Sequence, residues 1–133
     1  MTILICFAAA TNLFAAALDC VSTVRHLSPD TELNPVAKRL MRRIGMQQAV
    51  TLCYGVIAMF TLTLTAACLL SGSAKMTALC SAGLLVEGAL HFMAARVNGG
   101  GYGRWTRPLL LPVVRCYEVI EKAWSAWADR RKS

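Results

Sequence analysis

Glu87 and His91 stand four residues apart inside an otherwise apolar stretch, so on a helix they share one face, a carboxylate beside an imidazole. Such a pair can hold or relay a proton, ligate a divalent cation, or tie helices together by hydrogen bonds. Asp19 supplies a second acid within an apolar run, with Thr23 one turn later; Thr51 and Tyr54 bring two hydroxyls in another run. Hydrolase chemistry is disfavoured, because there is no H-E-x-x-H or G-x-S-x-G pattern and Ser71 and Ser73 fall far from both histidines. Cys6, Cys20, Cys53, Cys68, Cys80 and Cys116 show no C-x-x-C spacing and read as small packing residues. Neither a metal nor another cofactor is expected.

An acid near the centre of a membrane span costs about 2.5 to 3.5 kcal/mol on insertion scales. Leu79, Leu84, Leu85, Val86, Leu90, Phe92 and Val97 return roughly 3 kcal/mol, which only cancels that cost. Glu87 therefore needs partners or a proton.

The elements that position these groups follow from composition. A chain of 133 residues that is 56% hydrophobic and 16% charged is too apolar for an ordinary soluble domain. The expected fold is an all-α membrane protein: three transmembrane helices plus a C-terminal amphipathic interfacial helix. The spans run over about 3–24, 44–70 and 76–97, giving a bundle over 1–98, a glycine-rich linker over 99–107 and a basic amphipathic helix over 108–133. In that last helix Val113, Tyr117, Ile120, Trp124 and Trp127 form a seam, and Arg130, Arg131 and Lys132 follow it, a pattern suited to the membrane surface. Two prolines and the polar residues of 28–35 predict a turn, followed by a short basic helix over 36–43.

The net charge of +7 is unevenly placed. Of the 14 basic residues, Lys75 alone falls outside two groups, one between the first two spans and one at the end of the third span and beyond it. By the positive-inside rule this orients the chain N-terminus out and C-terminus in, across a bacterial inner membrane. The same distribution accounts for the basic charge without invoking nucleic acid.

Each span carries one small or polar face: Asn12, Asp19, Thr23 and His26 in the first; Gln47, Thr51, Tyr54, Ala58, Thr61 and Thr65 in the second; Gly83, Glu87, His91 and Asn98 in the third. Counting depth along the helices predicts that Asp19, Thr51, Tyr54, Glu87 and His91 converge in the cytoplasmic half as an intramembrane polar site, to which Thr23, one turn from Asp19, is also assigned.

Asp19-x-x-x-Thr23, followed by Glu32-x-Asn34-Pro35, resembles the signature of a family of small three-span prokaryotic membrane proteins classed as a domain of unknown function. The resemblance covers about residues 12–65. It departs from the pattern between Thr23 and Glu32, where Ser28-Pro29 stands in place of the usual glycine. It implies the three-span architecture and a role for the Glu32, Asn34, Pro35 loop motif, and supplies no activity.

The sequence thus predicts a small polytopic inner-membrane protein, a non-enzymatic accessory or regulatory component that works with the lipid bilayer and with a protein partner or a second copy of itself. Two alternatives are a phage-type holin and a subunit for proton, cation or metal transport.

Overall fold

In a computed structural model of the chain, residues 1–32 and 34–99 are described, together with Arg115, Cys116, Val119, Lys122, Ala123, Ala126, Trp127 and Arg130. Four helices follow in order: α1 (Thr2–His26), α2 (Pro35–Ile44), α3 (Met46–Ser71) and α4 (Ala74–Asn98), with no strand among the described residues. Three of them, α1, α3 and α4, are long and apolar enough to cross a membrane. At 1.5 Å per residue each is about 38 Å long, which covers the ~30 Å hydrocarbon core and reaches the headgroups. The chain is a small polytopic membrane protein. In hydrocarbon a helix satisfies its own backbone, and the apolar side chains it leaves outside meet lipid instead of water. Ile3, Phe7, Phe14 and Val21 on α1, Val56, Met59, Phe60 and Leu70 on α3, and Leu79, Val86 and Phe92 on α4 are exposed in this way.

The helix ends are set by local chemistry. Asn34 caps α2 by accepting from the Val36 and Ala37 amides through Oδ1, and Pro35 occupies the first helical position, where no amide is needed. The Glu32 carboxylate accepts the Asn34 amide at 2.8 Å and fixes the approach to that cap. Gly45 alone separates α2 from α3, and its φ of 89° turns the chain into the bundle where a side chain would be strained. At the opposite end Gly72 adopts a left-handed conformation and Ser73 caps α4 through the Met76 amide.

α1 and α4 run parallel and pack more extensively than any other pair, with α3 antiparallel beside them. Ala8, Ala9, Ala15 and Ala16 are buried on α1, and such small residues let helices approach closely. The closest approach is at Gly88, where an added Cβ would lie 3.1 Å from Asn12 Cα. Near the Gly72 end, Ile5, Ala8, Ala9, Cys68 and Leu84 form one core cluster; near the other end, Ala37 and Met41 of α2 bury against Ala49 and Val50 of α3. α2 thus packs on the start of α3, with Arg39, Arg42 and Arg43 exposed.

The eight described residues between 115 and 130 are helical and exposed, in agreement with the tail helix expected there. Leu33, most of the glycine-rich linker, and Trp124, Arg131 and Lys132 of the surface motif lie outside the described residues. Trp127 and Arg130 lie within them, and Arg130 Nε donates to the Ala126 carbonyl at 3.2 Å.

Candidate functional site

Two polar clusters join α1 to α4 at different depths. The first sits about 15 to 20 Å from the Gly72 end of the helices, close to mid-membrane. There Asn12 Nδ2 donates to Thr61 Oγ1 and to Glu87 Oε2, both at 3.1 Å, so one carboxamide links α1, α3 and α4. Asn12 and Thr61 are fully buried, and Glu87 is half-buried. The other end of that carboxamide, Asn12 Oδ1, is buried and has no hydrogen-bond partner. Thr65 Oγ1 donates to the Thr61 carbonyl at 2.7 Å, which orders α3 beside the junction.

The second cluster lies about two turns further along α1 and one to three turns further along α4. His91 Nδ1 and Asp19 Oδ2 are 2.9 Å apart and half-buried. Asn98 Nδ2 donates within 3.2 Å to Asp19 Oδ1, Ser22 Oγ and Thr23 Oγ1, and Ser22 Oγ donates to the Asp19 carbonyl at 2.8 Å. Cross-helix hydrogen bonds of this kind in hydrocarbon bring about 0.6 to 2 kcal/mol each. Together they set the rotation and register of α1 against α4.

The polar residues named from sequence are therefore divided between separate places. Asp19, Thr23 and His91 come together, joined by Ser22 and Asn98. Glu87 belongs to the mid-membrane junction, with Asn12 as its partner, and Asn12 in turn donates to Thr61. Thr51 is exposed, and with the half-buried Tyr54 it lines an open cleft between α1 and α3 beside Ala17, Cys20 and Val24. The expected convergence of all six is corrected by helix rotation. Depth along the axis places Thr51 level with His91, but Thr51 lies about 80° around α3 from the buried Thr61. On α4 the buried face is Thr77, Ser81, Leu84 and Gly88, and Gly83 is exposed, so the face that meets α1 is offset from the Gly83, Glu87, His91 line.

Glu32, Asn34 and Pro35 form the entry into α2 described above, so their hydrogen bonds account for the spacing of that motif through helix capping. Beside it Arg42 Nη2 lies 2.8 Å from Asp30 Oδ1, and Lys38 Nζ donates to the Asp30 carbonyl. The Arg42 hydrogen bond and charge hold the Asp30 carboxyl below its ordinary pKa.

Sequence reasoning passed over the roles of Asn12, Thr61 and Asn98 although each lies on a polar stripe. Asn12 was the strongest available signal, as the one carboxamide in the outer half of the first span. Among the described residues no group of three or more His, Cys, Asp or Glu side chains is arranged to hold a metal ion. Compared with known proteins, the chain matches no family model, no curated protein and no solved structure.

Proposed function

We propose that this protein is a non-enzymatic accessory or regulatory component of a bacterial inner membrane, with α2 and the C-terminal tail on the cytoplasmic face and the Gly72 turn outside. The observation that carries this reading is the Asp19, Ser22, Thr23, His91, Asn98 cluster, whose side chains are engaged with one another. A network whose members hydrogen-bond one another across two helices and hold them in register is a scaffold feature. The orientation is supported by charge: Arg25, Lys38, Arg39, Arg42, Arg43 and Arg96 gather at one end of the bundle and Lys75 at the other. In this reading the resemblance to the small three-span family is one of architecture, with Glu32, Asn34 and Pro35 starting the surface helix. The function lies in presenting α2, the tail and the lipid-facing sides of α3 and α4 to a protein partner or a second copy.

Induced expression followed by cross-linking in intact membranes tests the proposal. Discrete complexes of fixed size, formed without loss of membrane potential, support it. Abrupt depolarisation with lysis when an endolysin is present points to a holin and overturns it, as does a chain that remains a monomer in the membrane.

A further inference from the structure

We propose that the junction of Asn12, Thr61 and Glu87 binds one small monovalent cation of the sodium class at mid-membrane. The inference is independent of the accessory role proposed above.

Three helices each direct one oxygen-bearing side chain to this point, and the Asn12 carboxamide nitrogen lies 3.1 Å from both Thr61 Oγ1 and Glu87 Oε2. The unpaired atom of the junction is an acceptor, Asn12 Oδ1, on a fully buried side chain. A half-turn of the carboxamide exchanges Nδ2 and Oδ1, and these two positions are nearly equivalent in size. After that rotation Oδ1 faces both Thr61 Oγ1 and Glu87 Oε2. Adjacent oxygen ligands at about 2.3 to 2.6 Å from a cation in an octahedral shell sit roughly 3.3 to 3.7 Å apart, so the contacts of the carboxamide with Thr61 and with Glu87 need to lengthen by only a few tenths of an ångström. The second carboxylate oxygen of Glu87 and water complete the shell.

Charge sets the valence. Glu87 is the one ionisable group of the junction, and a single positive charge bound to its carboxylate makes the site neutral, whereas a divalent ion leaves an excess charge in hydrocarbon. No basic side chain answers it from the packed helices. α3 contains no Asp, Glu, Lys, Arg or His; on α1 the nearby ionisable group is Asp19, about two turns from Asn12, and on α4 it is His91, one turn from Glu87, and these two are paired with each other. A proton competes with the cation for Glu87, so binding strengthens as pH rises.

The test uses the purified full-length chain in lipid nanodiscs, with sodium chloride replacing choline chloride at constant ionic strength. Two readouts are taken: thermal unfolding, and modification of Glu87 by a hydrophobic carbodiimide, which attacks the protonated carboxyl. Sodium is expected to raise the unfolding temperature and to slow labelling. Glu87→Gln is expected to remove the label and the sodium-dependent stabilisation. Thr61→Val, which keeps the shape and the carboxylate, is expected to keep the label while weakening the sodium effect about tenfold or more; it also serves if the Gln variant fails to fold. Labelling that falls with rising pH but is the same in sodium and choline identifies Glu87 as a proton site alone and overturns the proposal. Equal unfolding temperatures in the two salts at every pH also overturn it.

Discussion

His91 Nδ1 lies 2.9 Å from Asp19 Oδ2, which fixes the final turns of α4 against those of α1 across 72 residues of chain. Asn12 and Glu87 repeat the relationship two turns earlier on α1 and one turn earlier on α4. The register of the two parallel helices is thus set twice by polar contacts, and the alanines between them allow the approach.

A double-mutant cycle on Asp19→Ala and His91→Ala measures the contact. A coupling energy of about 0.6 to 2 kcal/mol is expected, read from unfolding in mixed detergent. Strictly additive losses would mean that the two side chains do not interact.

Gly88 and Gly83 give a paired comparison on one helix. Gly88→Ala places a Cβ 3.1 Å from the Asn12 backbone and is expected to cost about 1 to 3 kcal/mol as α1 and α4 are forced apart. Gly83→Ala meets nothing within 4 Å and is expected to be neutral or to stabilise by up to about 1 kcal/mol through helix propensity. The same unfolding assay separates them, and equal effects would contradict the packing of α1 on α4.

At the surface helix, Asn34→Ala removes the acceptor for two amides and is expected to cost about 1 kcal/mol, felt as faster hydrogen exchange at Val36 and Ala37. Asn34→Asp keeps the acceptor and is expected to preserve protection. Glu32→Gln retains a carbonyl oxygen for the Asn34 amide and is expected to change little, which distinguishes a capping role for that motif from an acid–base one.

The Asp30 and Arg42 pair has a defined pH signature. Because Arg42 lowers the folded-state pKa of Asp30, the pair supports the folded turn above the unfolded carboxyl value and loses that support as pH falls through the lower folded value. Carboxyl titration by NMR is expected to show Asp30 below 3.8, and Arg42→Ala is expected to return it toward that value. An unchanged midpoint in the variant would show that the pair does not form in solution.

Much of the scaffold was readable because hydrophobic runs and caps act locally. The spans expected at 3–24, 44–70 and 76–97 appear as Thr2–His26, Met46–Ser71 and Ala74–Asn98, and the basic helix expected over 36–43 appears as Pro35–Ile44. The polar partners were less readable, because they depend on how each helix is rotated. Rotation is decided by the whole interface: Gly88 and the buried alanines bring α4 onto α1 so that Asn12 meets both Glu87 and Thr61, and leave Thr51 outside. Depth counted along one helix at a time contains no information about that angle. Asp19 and His91 were both placed in the cytoplasmic half by depth and do meet, since both lie close to the α1–α4 seam.

The most direct test of the account is where the turns lie relative to the bilayer. In a cysteine-free background, single cysteines replace Ser28 and Ser73 in turn, and sealed right-side-out vesicles are treated with a membrane-impermeant maleimide. The three-span arrangement in the orientation proposed above predicts labelling at position 73 in intact vesicles and at position 28 only after the membrane is opened. Labelling of both positions from the same side would contradict it.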